Sequence, residues 1–223
     1  MSHALEFSLA VELSPHFQIA AKGRFAWSKG GGAIGILGPS GSGKSTFLRW
    51  LAGHDLRAES RLRWGHEEIQ DWKPQPRRFG FLSQELALFP HLSVEQNITY
   101  GLRLWKPEDR QRQTESLLTS FEMSDLREQR PGSLSKGQQQ RVALLRTLAP
   151  QPRLLLLDEP LSSLDSVTHQ RTLHALAAWL KKTQTPTLLV THQMAEASLL
   201  CSQIYTFEKG TLGSEPRHTG SRL

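Results

Sequence analysis

One cysteine, Cys201, is all that the 223-residue chain carries. This excludes an internal disulfide and suits a reducing compartment. No apolar run approaches the ~20 residues of a bilayer span, and Met1-Ser2-His3 begins no signal peptide. The apolar fraction is 38% and the mean hydropathy is −0.41, values that predict a soluble domain. Neither sign of charge dominates, with 27 basic residues against 21 acidic for a net +6. The basic residues are spread along the chain, with small clusters at Lys73–Arg78 and Lys181-Lys182. Such a distribution is met by solubility or by attraction to anionic headgroups, and no nucleic-acid partner is expected from it. Internal repeats and low-complexity stretches are also lacking. The length suits one α/β domain with a small subdomain and allows a full core.

What the chain does have is GPSGSGKST, running Gly38, Pro39, Ser40, Gly41, Ser42, Gly43, Lys44, Ser45 and Thr46. It fits the phosphate-binding template G-x-x-x-x-G-K-S/T and follows directly on the apolar run Ala33-Ile34-Gly35-Ile36-Leu37. Three glycines let the backbone curl until successive N–H groups point at one anion. Lys44 is expected to reach the β- and γ-phosphates, and the Ser45 hydroxyl to hold Mg²⁺. From Ser45 the sequence is helical in composition as far as Gly53, so a helix N-terminus also faces the phosphates. The stretch predicts a site for a nucleoside triphosphate.

Around it, Leu5–Leu13 and Phe17–Trp27 read as strands, and Arg57–Trp72 suits a short β-ribbon before Pro74 and Pro76 punctuate the chain. Arg78–Gln84 looks like a strand ending in a polar residue. Ser93 begins a helix, with Gln96 at capping-box spacing. Trp105–Met123 is polar and helical, and Pro131-Gly132 breaks it. A helix is expected over Gln138–Leu148, with Val142, Leu145 and Ala149 on one side. Arg153–Asp158 is a continuous apolar run, as in a buried parallel strand. A helix over Ser166–Lys182 and strands over Thr187–Val190 and Ile204–Phe207 complete an α/β alternation and a mostly parallel sheet.

RLLLLD ends in Asp158-Glu159, acids at the carboxyl edge of a buried strand. Asp158 is placed to hold Mg²⁺ through water, and Glu159 to polarise a water for in-line attack on the γ-phosphate. Two acids bordering such a core call for a partner such as a metal ion.

With these residues go Leu134–Gln138, LSKGQ, just upstream of the acids, Gln84 at the end of FLSQ, the run Ser162–Asp165, SSLD, and His192 after TLLVT. Together, in this order, they resemble the ATP-binding-cassette (ABC) transporter ATPases, over nearly the whole chain from Leu5 to about Gly213. The resemblance implies a P-loop fold with an N-terminal antiparallel β subdomain, and a helical subdomain inserted at about residues 85–135 that carries the signature. It implies one such domain over residues 1–223, ATP and Mg²⁺ as ligands, and ATP hydrolysis. Gln84 would sit between the Mg²⁺ site and a membrane partner. His192 would bond the γ-phosphate and help hold the attacking water. Ser135 and Gly137, with Gln138 beside them, would contact ATP bound to a second copy in a head-to-tail dimer, with Asp165 at the same interface.

Two positions depart from the family pattern. Lys136 stands where the signature has glycine; its cation could attract phosphate or its bulk could weaken closure. The aromatic that stacks on adenine has no clean counterpart, since His16 and Phe17 are near the spacing but Phe17 reads equally well as a core residue. Pro74, Arg77, Arg78, Gly80 and Gln84, followed by Leu88–Leu92, resemble the importer ATPases for sulfate, molybdate and sugars, and the short chain also resembles thiamine importers. The resemblance therefore implies membrane permease subunits as partners, a solute-binding protein, and a peripheral position on the cytoplasmic face of the inner membrane. The cargo it implies is an oxyanion such as molybdate, or thiamine. An ABC ATPase of a non-transporting mechanical or signalling complex is the alternative. With the chain ending at Leu223, no C-terminal regulatory domain is expected.

Overall fold

The computed structural model describes residues 3–28, 31–55 and 60–218. In chain order the elements are β1 His3–Ser14, β2 Phe17–Trp27, β3 Ala33–Leu37, α1 Lys44–Ala52, β4 Ser60–Trp64, β5 Glu67–Glu68, α2 Pro74–Arg77, β6 Phe79–Leu82, α3 Val94–Thr99, α4 Pro107–Ser120, α5 Lys136–Leu148, β7 Leu154–Asp158, α6 Ser166–Thr183, β8 Thr187–Thr191, α7 Met194–Leu200, β9 Cys201–Glu208, β10 Thr211–Leu212 and β11 Arg217–His218. The strands run β5-β4-β1-β2-β10-β9-β3-β8-β7-β6 across one sheet, with β11 on β9. Its heart, β9-β3-β8-β7-β6, is parallel. The β1–β2 and β1–β4 pairings are antiparallel.

The central strands β3, β8 and β7 are buried on both faces because both faces are covered. Leu154 and Leu156 of β7, Leu188 and Val190 of β8, and Ile34 and Ile36 of β3 join a core with α1 and the aromatic side of β1 and β2. Leu155, Leu157 and Leu189 point the other way, into a core with α3, α4, α5 and α6. Each of the four leucines of β7 is fully buried, a gain of roughly 1.5–3 kcal/mol apiece. Phe7, Phe25 and Phe47 stack across the first core at 4.8 and 5.3 Å between centroids.

Strand β2 has the ends read from sequence, and Ser93 caps α3 with the reciprocal Ser93–Gln96 box. Other ends shift for local reasons. Pro107 opens α4, because proline fits the first helical turn where no N–H partner is needed. Helix α5 starts at Lys136, since Ser135 is its cap. Strand β6 stops at Leu82, where the Ser83 hydroxyl turns to donate to the Glu85 carbonyl (2.6 Å). The first part of the Arg57–Trp72 ribbon lies outside the described residues; its remainder is β4 and β5. Within the Lys73–Arg78 cluster Arg77 is fully buried, and is therefore no part of a surface charge patch. The segment between β6 and β7 holds α3, α4 and α5 and no strand among the described residues. Among those residues no helix is long and apolar enough to cross a membrane.

Candidate functional site

The glycine-rich loop leaves β3, flanked by β8 and β9, and enters α1. Gly41 and Gly43 have φ of +78° and +102°, and a Cβ on Gly38 would stand 2.0 Å from the Phe207 carbonyl oxygen. The loop can thus take its course only with glycine at these points. Lys44 Nζ is folded along the loop, donating to the carbonyls of Gly38 (2.8 Å) and Pro39 (2.7 Å) and to Ser42 Oγ (3.3 Å). Burial lowers the Lys44 pKa, while the nearby Glu159 and Asp158 carboxylates act to raise it. A cation so held is set beside the opening of α1 and its unpaired N–H groups.

Asp158 ends β7 and is 2% exposed. Burial raises its pKa; the Ser45 hydroxyl, which hydrogen-bonds it, pulls the other way, Glu159 adds to the rise, and Lys44 opposes it. Its Oδ1 is buried and without a hydrogen-bond partner among the described residues. An unpaired buried carboxylate oxygen is costly unless a cation or water takes it. With Ser45 alongside and Gln84 on the wall of the same cleft, the oxygen donors match what a hard divalent cation such as Mg²⁺ accepts.

Glu159 sits one residue beyond the strand with φ +48°, a left-handed conformation that costs a non-glycine residue on the order of 1 kcal/mol or more. Its N–H is held by the Val190 carbonyl (2.9 Å), and Nδ1 of His192 lies 3.3 Å from its Oε1. The backbone twist turns the carboxylate toward a cleft of ≈ 330 Å³ lined by Phe17, Ser40, Gly41, Gly43, Lys44, Ser45, Thr46, Gln84 and Glu159. Phe17 is half-buried and on this wall, whereas His16 is exposed.

The signature residues do not line this cleft. Ser135 caps α5, its Oγ accepting from the Gln138 N–H (3.2 Å) and its own N–H donating to Gln138 Oε1 (2.8 Å). Gly137 packs on the SSLD turn: an added Cβ would meet the Ser163 carbonyl oxygen at 3.0 Å and Leu164 Cδ2 at 3.1 Å. Lys136 is exposed beside it. The crowding at 137 and the openness at 136 explain why a lysine fits the one position only. Asp165 caps α6, its Oδ1 accepting from the N–H groups of Val167 (3.2 Å) and Thr168 (3.1 Å).

Helix α5 links these parts through two residues that the sequence reading did not single out. Gln140 is 3% exposed; its Nε2 donates to the Glu159 carbonyl (2.9 Å) and its Oε1 accepts from the Ser163 N–H (2.7 Å). It therefore fixes the backbone carrying Glu159 against the SSLD turn. Two turns on, the Arg146 guanidinium donates to the carbonyls of Leu86 and Ala87, both at 2.8 Å, just after Gln84. The available signal was Gln140 sharing the 3.6-residue face of Ala143, Leu144, Thr147 and Leu148, a polar residue on a buried stripe. Gln140→Leu is expected to leave the Ser163 N–H unpaired and the Glu159 C=O held only by Ser162, costing about 1–3 kcal/mol of stability. ATPase rate should fall more than the unfolded fraction explains, as measured by kcat alongside thermal melting.

A phosphate loop on a parallel sheet, an acid-tipped strand one place beyond β8 and a cation folded along the loop define a P-loop nucleoside triphosphatase. The chain belongs to the ABC transporter family, whose profile matches residues 28–162, and is an importer-type ATPase within it. It is similar to a probable sulfate/thiosulfate import ATP-binding protein of Chlorella vulgaris, with 39% identity over 190 residues, covering 82% of this chain and 79% of that one. The molybdate/tungstate import ATP-binding protein of Archaeoglobus fulgidus is 40% identical over 177 residues, 79% of this chain and 74% of that one. A spermidine/putrescine import ATP-binding protein of Pseudomonas aeruginosa is 42% identical over 182 residues, 78% of this chain but only 49% of that one. In fold, the chain is similar to an ATP-binding cassette solved as a dimer in a post-hydrolysis state with ADP and Pi, with a TM-score of 0.82, 24% identity and 100% coverage of both chains.

Proposed function

We propose that this chain is the ATP-hydrolysing subunit of a membrane importer, working as a head-to-tail pair peripheral to the cytoplasmic face of the membrane. The convergence of Lys44, Ser45, Gln84 and Glu159 on one cleft, with the unpaired Asp158 Oδ1 behind them, is the observation that carries it. Lys44 would exchange loop carbonyls for the β- and γ-phosphates. Gly38, Pro39, Ser40, Gly41, Ser42, Gly43 and Thr46 complete the cradle, and Phe17 is placed to meet the base. Ser45, Asp158 and Gln84 would hold Mg²⁺. When bound, that ion supplies charge neutralisation between the phosphates. Glu159 would take the proton of the attacking water, and His192, beside it, would hold the γ-phosphate and the water in line.

Ser135, Gly137 and Gln138 would close on the ATP of a second copy, with Asp165 at the seam. This reading is supported by their placement at the exposed start of α5, away from their own P-loop cleft. The region at about 85–135 would act as the helical subdomain on which a permease docks, beside Gln84. We propose an oxyanion as cargo, delivered by a solute-binding protein. The sulfate/thiosulfate and molybdate/tungstate relatives support that class.

Lys44→Ala is expected to abolish tight ATP binding and hydrolysis, since it removes the cation paired with the phosphates. Mixing Lys44→Ala with Ser135→Arg chains tests the pairing, because one heterodimer site then keeps both intact halves. Recovery of ATPase activity on mixing supports the in-trans site, and full activity of Lys44→Ala alone would overturn the assignment. Molybdate or sulfate uptake by cells carrying the permease, compared with and without the Lys44→Ala chain, tests the cargo.

A further inference from the structure

The end of β8 and the start of α6 are joined by a buried polar chain. Glu196 of α7 is 2% exposed and His169 of α6 is 12% exposed, and His169 Nε2 lies 2.7 Å from Glu196 Oε1. The other carboxylate oxygen, Oε2, accepts from the Thr191 hydroxyl (2.6 Å), and Thr191 Oγ1 accepts from the Gln193 N–H (3.0 Å). Thr191 and Gln193 flank His192. His169 stands one turn into the helix that Asp165 of the SSLD run caps, its backbone N–H making the first helical bond to the Asp165 carbonyl (2.8 Å).

Among the described residues no lysine or arginine lies within ion-pair distance of Glu196, and its partners are an imidazole and a hydroxyl. A buried carboxylate needs such partners to stay ionised. Helix α7 packs on β3, β8, β9 and α6. Strands β3 and β8 carry no titratable residue. Strand β9 brings Cys201 near Glu196, with burial pushing the thiol far above its usual range and so keeping it neutral. Asp165 faces α6 through its backbone, and its own carboxylate is engaged in capping.

We propose that His169, with Glu196 and Thr191, is a positioning residue for ATP hydrolysis: the chain sets the turn carrying His192 and couples it to the SSLD turn. The proposal rests on the role assigned above to His192.

His169→Ala is expected to lower kcat about tenfold or more, the scale of a small misplacement of a reacting group, with the KM for ATP nearly unchanged. His169→Arg, which keeps a donor facing Glu196 Oε1, should restore kcat. Thr191→Val should give the same kcat-selective loss and keeps the test open should His169→Ala fail to fold; melting temperatures and the folded fraction are measured for each. In a His192→Ala background, His169→Ala should have no further effect on rate. A His169→Ala chain with undiminished kcat overturns the proposal, as does a loss explained by the unfolded fraction that Arg does not restore. If His192→Ala is inactive while His169→Ala is not, this inference alone fails. If His192→Ala itself hydrolyses ATP at the full rate, the role of His192 fails with it.

Discussion

Glu159→Gln is expected to lower the ATPase rate by 10²–10⁴, roughly the worth of a positioned base, while leaving ATP bound. The amide keeps the size of the side chain and can still face His192 Nδ1, which lies 3.3 Å from Glu159 Oε1. The backbone at 159 is held by Val190 and Gln140 through its own N–H and C=O, so the left-handed turn survives the change. What is lost is a group able to take a proton. Unhydrolysed ATP should then hold two chains together through Ser135 and Gly137. Size-exclusion chromatography should show a dimer with Mg-ATP and a monomer without nucleotide. A Glu159→Gln chain that turns over ATP at an undiminished rate would remove Glu159 from the proposed chemistry.

The largest effect on stability is expected from Arg77→Ala. Arg77 is fully buried and donates to four main-chain carbonyls, those of Trp72 (2.7 Å), Trp50 (3.0 Å), Leu51 (2.6 Å) and Gln70 (2.9 Å). Two of these belong to the last turn of α1, so the guanidinium closes the helix that the phosphate loop opens. Burial pushes its pKa down to about 10, with Asp71 opposing the fall, which leaves it charged at neutral pH. Truncation removes four donated hydrogen bonds and leaves a void, with the Trp50 carbonyl keeping a second donor, the Gly53 N–H (3.0 Å), at a cost on the order of 3–5 kcal/mol. In a domain of this size that is a melting point lower by roughly 10 °C. Arg77→Lys should recover only part, because an ammonium cannot reach carbonyls spread around a planar fork. A melting point within about 2 °C of the unchanged protein would show that water replaces the guanidinium.

Much of the fold is legible where residues obey one local rule. Leu154–Leu157 is a strand buried on both faces, and its composition says so. Ser93 and Gln96 are three apart and cap each other. Pro74 and Pro76 punctuate the chain between β5 and β6 as read, but the pattern did not show that Pro74 also opens the one-turn helix α2. Helix α7 is seven residues long and too short to show a period. The cleft was legible through its motif, which named Lys44, Ser45, Gln84 and Glu159 before the fold drew them together. Its supports were not. Arg77 looks like one more basic surface residue, and Gln140 like one of three successive glutamines. Their partners lie 19 or more residues away in sequence at Glu159 and 26 or more at Trp50 and Leu51. No periodicity reports such contacts.

Strand β3 is hydrogen-bonded on one side to β8 and on the other to β9. Ala33–Leu37 therefore emerges from the ribosome long before either neighbour, Thr187–Thr191 or Cys201–Glu208, has been made. At ~5–20 residues per second the wait is on the order of ten seconds. Throughout it an apolar strand and its glycine loop have no sheet to join. A nascent chain lacking its last third cannot assemble the phosphate cradle, and the same non-local pairing makes closure of the sheet a slow step. During biosynthesis, then, this strand stays without its sheet partners until late, and nucleotide can favour the folded state only after the C-terminal strands have arrived.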